Sequence, residues 1–422
     1  MQPTHTAKSQ SSMRQNIYQS DIYEAFAVHK TSETIVISFA ERKEPAPAGF
    51  SGEAMLEKTG YAYCCVRAMQ NDWYVHTDFQ LCLQQLKKVT AHYSRIVLYG
   101  FSMGSYGALM AARELKAQRV IAMAPIANIH PDIDKRWISD YAELITGRSA
   151  HDLRPDLPET TEIICVYDDK GPDLKHVEDL KRTHPVVPLI TPKAGHMVFQ
   201  FLNGAGILGS FTRALMQENV SRSDLQNQIA RTRKTNAHYI SALSKSLSHH
   251  KTLRYRLLQY AVRQMPDDTT LKLSFAEVTA ERGQLAEAAE TIRSAVMASG
   301  RPLSVPVIRA LVQYAESGGS GTAIADLIAP YDSALPRSRE IQLLYSRYLR
   351  HIGRFDDAFR AHEKFMKGGP FSSQGFFERG LIFEQLGLLF MAEKSYQSAL
   401  HEDQTFHRAR HQLARIKRSA GA

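Results

Sequence analysis

Ser102 stands between Gly100 and Gly104 in "VLYGFSMGSYGALMAA", residues 97–112. A serine hydroxyl is a weak nucleophile until a neighbouring base takes its proton, and that base works best when an acid orients it. Both partners can be found downstream. "TPKAGHMVFQF" places His196 just after an apolar run and just before an apolar helix-like stretch. "ICVYDDKGPDLKHVEDL" offers Asp168, Asp169 and Asp173. Asp173 lies a few residues past a strand-like run, at the start of a helix-like one, and is the preferred acid. Asp168, at the end of that run, is the second choice. An ordinary glycine-rich turn would also set a serine between glycines. The context favours the nucleophile, because "RIVLY" leads in as a strand and small residues lead out as a helix. At such a joint the serine takes a strained positive φ and side chains two residues to either side would collide, so glycine is needed there. Gly107 and Ala108 let the outgoing helix lie close to a sheet.

The elements that must position these groups are legible in the first half. Near-continuous, β-branched apolar runs occur at 34–40, 61–68, 95–100, 119–126, 161–168 and 186–191. Runs of that kind suit strands buried on both faces of a parallel sheet. Helix-like stretches separate them, at about 52–58, 76–92, 104–116, 173–182 and 198–217. Such alternation predicts a doubly wound α/β sheet. The link from 127 to 160, with Trp137 and Tyr141, is longer than a usual crossover and predicts a small cap.

A chain of 422 residues is too long for one ordinary core, which predicts two domains. The charge agrees, since residues 221–422 hold 29 Lys and Arg against 19 Asp and Glu, so they carry the whole of the net +9. That half has no strand-like run. "AERGQLAEAAETIRSAVMASGRP", "LYSRYLRHIGRFDDAFRAHEKFMKGGP" and "ERGLIFEQLGLLFMAEKSYQSALHED" repeat a glycine followed by alanines at one phase, at Gly283, Gly353 and Gly387. The last two glycines are 34 residues apart and the first two 70, with a degenerate copy containing "YAESGGSG" and Ala323 between them. Small residues at that phase let paired helices approach closely. This pattern, over about 270–415, resembles tetratricopeptide repeats, an unrelated helical bundle being the alternative. The expected organisation is a disordered tail at 1–20, a sheet domain at 21–220, a basic helical linker at 221–260 and helical repeats at 261–422.

With the serine joint, the strand order and the Gly195-His196 loop in hand, residues 34–217 resemble a small α/β-hydrolase lacking the first two strands of the full fold. The resemblance implies Ser102 as nucleophile, His196 as base and an Asp as orienting acid. It also implies an oxyanion hole formed by the Met103 N–H and a second donor after the first strand, near Ala40 or Glu41. "SFAERKEPAPAGF" there lacks the His-Gly signature of many esterases. In "MQNDWYVHTDF", Asn71, Trp73 and Tyr74 either line the pocket with Phe101 or plug the sheet edge. A similar NxWY is loosely like bacterial α/β-hydrolases associated with polysaccharides, some of which carry helical repeats.

Other functions find less support. No apolar run reaches the roughly 18 residues that span a bilayer, and the polar start has no apolar middle of a secretory signal. Four cysteines without a CxxC pair predict buried thiols, and with them a cytoplasmic protein. No His or Cys pair has zinc-ligand spacing, and "GAGILGS" follows no strand, so neither metal nor nucleotide cofactor is expected. Residues 222–256 hold eight basic residues against Asp224, but with little aromatic interleaving they read as a solvated helix rather than a nucleic-acid site. His130, His176, His249 and His250 read as surface residues. The expected function is a serine hydrolase, an esterase or deacylase, acting on an acylated small molecule or glycan, with repeats that dock a protein partner or bulky substrate. The alternatives are an acyltransferase using the same groups, or a non-catalytic repeat scaffold with a degenerate hydrolase domain.

Overall fold

The computed structural model describes residues 14–42, 50–144, 154–299, 305–317, 339–367 and 372–420. The chain divides into two compact units, Met1–Leu243 and Ser244–Ala422.

The first unit is built on an eight-stranded sheet of order β1-β2-β4-β3-β5-β6-β7-β8. Its strands are β1 (Arg14–Gln19), β2 (Tyr23–Val28), β3 (Thr34–Phe39), β4 (Ala62–Ala68), β5 (Arg95–Phe101), β6 (Arg119–Met123), β7 (Glu162–Tyr167) and β8 (Val186–Ile190). β2 runs antiparallel to both neighbours, and β3 to β8 are mutually parallel. Every residue of β3 and β6 is buried, the signature of strands covered on both faces. One face packs Ile35, Ile37, Leu98 and Val120 against α2 (Asp78–Thr90), α3 (Met103–Ala111) and α5 (Leu174–Lys181). The other packs Val36, Val97, Tyr99 and Ile121 against α1 (Glu53–Leu56), α6 (Val198–Gly204), α7 (Leu208–Met216) and α8 (Arg222–Thr232). In the expected cap, a 3-10 turn (Lys135–Trp137) leads into α4 (Ile138–Leu144).

Two expectations are corrected here. Residues 14–19 are no tail but strand β1, and the sheet carries two strands ahead of β3 rather than lacking them. β1 is an edge strand whose residues are mostly exposed, so "RQNIYQ" needs no apolar pattern. Its end is tied down by Tyr18 Oη and by Ser20 Oγ just beyond it, both donating to the Asp78 carboxylate. Nor is the stretch after 220 a free linker. In α8, Leu225 and Ile229 enter the core, and the Gln226 side chain bonds both the N–H and the C=O of Ile190 in β8. α9 (Ala237–Ser246) spans the division between the units.

The described residues of the second unit form helices: α10 (Lys251–Gln264), α11 (Thr269–Glu281), α12 (Leu285–Ser299), α13 (Val305–Glu316), α14 (Arg339–His351), α15 (Phe355–Lys367), α16 (Ser373–Gln385), α17 (Leu389–Glu402) and α18 (His407–Ala420). Helices α11/α12, α14/α15 and α16/α17 form hairpins. Gly283, Gly353 and Gly387 sit in their turns at φ +82°, +82° and +74°. So the 34-residue phase marks the left-handed residue that ends each first helix. The alanine five residues after each glycine, Ala288, Ala358 and Ala392, is buried. The degenerate copy from residue 318 through Ala323 lies outside the described residues. All four cysteines are buried free thiols. No helix among the described residues is long and apolar enough to cross a membrane.

Candidate functional site

The site lies at the C-terminal edge of the parallel strands. β5 ends at Phe101 and α3 begins at Met103, so Ser102 alone makes the joint, at φ 53° and ψ −121°. Its N–H donates to the Met123 carbonyl at 3.0 Å, which fastens the joint to β6. A Cβ on Gly100 would lie 2.0 Å from the Gly104 carbonyl oxygen, and one on Gly104 would lie 2.2 Å from the Phe39 carbonyl oxygen. Both obstructions are backbone, so neither can swing aside. Gly104→Ala is therefore expected to lower stability by about 3 kcal/mol or more, read from denaturant midpoints. A change below about 1 kcal/mol would mean that the joint tolerates a methyl group there.

Three side chains meet above this joint. Ser102 Oγ donates to His196 Nε2 at 2.9 Å. His196 Nδ1 donates to both carboxylate oxygens of Asp173, each at 2.9 Å. A carboxylate only accepts, so this contact fixes the proton on Nδ1 and leaves Nε2 as acceptor for the serine. Asp173 is fully buried at the start of α5, and Ser102 is 5% exposed. Asp168 is placed otherwise. It accepts the Lys170 N–H at 3.1 Å and the Gly195 N–H at 2.9 Å, tying the loop after β7 to the loop that carries His196.

Behind Asp173 is a charged cluster that sequence reasoning missed. An Arg136 terminal nitrogen donates to Asp173 at 2.8 Å and to Asp134 at 2.6 Å. Asp134 is fully buried and also accepts from Lys175 Nζ and His176 Nε2, both at 2.9 Å. Burial alone would push the Asp134 carboxyl up, but the hydrogen bonds from His176 and Arg136 hold it well below the usual carboxylate range. His176 is thus no surface residue, being fully buried. Nothing in the spacing of "PDIDKRW" announces this cluster, because the cap loop only reaches the α5 start in three dimensions.

Several further expectations are corrected. Trp73 and Tyr74 do not line a cleft, being 0% and 1% exposed. Both take left-handed backbone, φ 56° and 55°, which folds their rings inward. Trp73 Nε1 donates to Asp140 at 2.8 Å, and Tyr74 Oη donates to the Ala40 carbonyl at 2.8 Å. They plug the sheet edge. Ala40 is not an oxyanion donor, because its N–H donates to the Val66 carbonyl at 2.9 Å as a continuation of the ladder. Met103 is the first residue of α3, where a helix leaves its N–H without an intrahelical acceptor. Phe101 does stand at the site, half-buried, its ring 5.7 Å from His196 and 6.1 Å from Phe199. Trp137 faces His196 from the cap at 6.1 Å. Among the described residues no cluster of three or more His, Cys, Asp or Glu is placed to hold a metal ion.

No family model matches this chain, and no curated protein matches it. Several solved structures are similar to parts of it. The capsule O-acetyltransferase of Neisseria meningitidis serogroup A is 15% identical, with a TM-score of 0.38 over 48% of this chain and 93% of that one. The protein XC6422 from Xanthomonas campestris, described as an α/β serine hydrolase without a lid, is 17% identical, with a TM-score of 0.30 over 53% of this chain and 95% of that one. The MamA protein is 17% identical, with a TM-score of 0.34 over 40% of this chain and 92% of that one.

Proposed function

We propose that the first unit catalyses acyl-group hydrolysis through a serine acyl-enzyme. The observation that carries this is the unbroken line from Ser102 Oγ through His196 to the buried Asp173 carboxylate, set on a strained single-residue joint. In this reading His196 Nε2 takes the Ser102 proton as Oγ bonds to the acyl carbon. The tetrahedral oxyanion accepts the Met103 N–H, and with the Ala40 N–H taken by Val66, Glu41 is the candidate for the second donor. The leaving oxygen takes the proton from His196 as its bond to carbon breaks. Water then gives a proton to His196 and its oxygen to the acyl carbon, and the proton returns to Ser102 as the free acid departs. Phe101 and Trp137 present apolar faces beside the imidazole, suited to an acyl chain or the face of a sugar ring. The helical hairpins of the second unit are the docking arm in this proposal.

The test is a panel of short-chain acyl esters and acetylated sugars, with mass spectrometry of the intact protein during turnover. Acyl-enzyme on Ser102 together with released acid supports hydrolysis. Acyl-enzyme discharged only by an added alcohol assigns transfer to that acceptor instead. Absence of both acyl-enzyme and labelling by a fluorophosphonate leaves the scaffold reading.

Arg136 has a defined part in this reading as a positioning residue. Its guanidinium offsets the two buried carboxylates, Asp134 and Asp173, beside Lys175 and His176. In Arg136→Gln that positive charge is gone and Asp173 loses a charge-assisted bond. Ester turnover is expected to fall by about 10- to 100-fold. Because Arg136 holds Asp173 and touches no substrate in this reading, the loss should fall on kcat with KM within about twofold. Arg136→Lys should recover most of it. A loss carried by KM, or no recovery by lysine, would reduce Arg136 to a structural tie.

A further inference from the structure

We infer that the turn Leu388–Met391, at the head of α17, docks the protein on an anionic membrane surface. The three helical hairpins of the second unit share one turn geometry, a left-handed glycine followed five residues later by a buried alanine. In the first two hairpins the residues between are Gln284-Leu285-Ala286-Glu287 and Arg354-Phe355-Asp356-Asp357. In the third they are Leu388, Leu389, Phe390 and Met391, exposed at 48%, 47%, 68% and 43%. At the first, third and fourth places the sister turns carry Gln284 and Arg354, Ala286 and Asp356, and Glu287 and Asp357, so the fold requires no large apolar group there, whereas the second place is apolar in all three turns, as Leu285, Phe355 and Leu389. Four consecutive apolar side chains in open solvent cost solubility unless something covers them.

Shape and charge select the occupant. Successive residues of a helix point about 100° apart, so four exposed in a row make a convex tip and not a groove. A convex apolar tip enters a soft headgroup layer without needing a matching cavity. The charges around it are mainly positive. Lys394 Nζ lies 5.6 Å over the Phe390 ring. Arg415 pairs with Glu384 at the end of α16, and Lys417 lies 3.7 Å from Glu393, which brings the last turns of α18, with Arg418, to this same end. Among the described residues, this end of the hairpin thus carries the cations Lys394, Arg415, Lys417 and Arg418 with the acids Glu384 and Glu393. The acidic Glu402 and Asp403 are at the other end of α17, roughly 20 Å away. Apolar insertion and cationic attraction together give reversible binding to anionic lipid, weakened by salt.

The experiment is co-sedimentation of the full chain with phosphatidylcholine vesicles, with and without phosphatidylglycerol. Binding is expected only to the anionic vesicles and should be released by half-molar salt, a level taken as roughly a 4 Å screening length. Leu389→Ser/Phe390→Ser should weaken it at least about tenfold, and so should Lys394→Glu/Arg418→Glu, two variants that remove different halves of the interaction. All four positions are exposed, so thermal midpoints should stay at the wild-type value. Failure to sediment with anionic vesicles overturns the proposal, as does binding that survives Leu389→Ser/Phe390→Ser. Self-association of the full chain that is lost in that same variant would assign the tip to a second copy instead.

Discussion

Ser102→Ala should abolish covalent labelling by a fluorophosphonate and lower ester turnover by at least about 10⁴-fold. The serine oxygen is the atom that bonds to phosphorus or acyl carbon in the proposed reaction, and among the described residues it is the hydroxyl that meets His196 Nε2, at 2.9 Å. The fold should hardly register the change. The side chain is small, its hydroxyl makes one hydrogen bond to a partly exposed imidazole, and the backbone strain at φ 53° is the same for alanine. The net loss is within about 1 kcal/mol. Labelling and thermal denaturation of the purified full chain check both halves. A variant that still labels places the nucleophile elsewhere. One that neither labels nor folds says nothing against the site, and Ser102→Gly, which relieves the positive φ, then serves as the folded control.

The second large effect is expected at Asp173. Asp173→Asn keeps the shape but presents an amide where His196 Nδ1 needs an acceptor, so the imidazole turns to the wrong tautomer and turnover falls by about 10⁴-fold. Asp168→Asn should cost far less, about tenfold, because Asp168 only accepts the Gly195 and Lys170 N–H groups and holds the His196 loop at one remove. Steady-state kinetics on one ester for both variants decides the matter. If Asp168→Asn proved the more damaging, the orienting acid would be Asp168 and the Asp173 contact would be incidental.

That ranking shows what linear order can carry and where it stops. The six parallel strands begin and end within a few residues of their apolar runs, because a strand covered on both faces, as β3 and β6 are, must be apolar throughout. The serine joint was readable because its two glycines flank Ser102 within five residues of chain, although the backbone that Gly104 spares, at Phe39, is distant in sequence. The glycines at 283, 353 and 387 were readable for a wholly local reason, the left-handed backbone that ends a helix. β1 was not, since an exposed edge strand is held by its partner's backbone and leaves no mark on side-chain type. Asp168 directly follows β7 and Asp173 opens α5 shortly after, and only the path of the loop after β8 sets Asp173 against the imidazole and Asp168 against a backbone amide. Trp73 and Tyr74 look like pocket aromatics in one dimension, and the left-handed backbone at both turns them into the core. Ala40 sits where a second oxyanion donor was expected, and one ladder bond to Val66 takes its N–H. Arg136 reaches Asp173 across 37 residues of chain. Contacts of that range depend on how loops fold back over the sheet edge, which no local spacing encodes, and they decide which polar groups face one another in a buried, low-dielectric site.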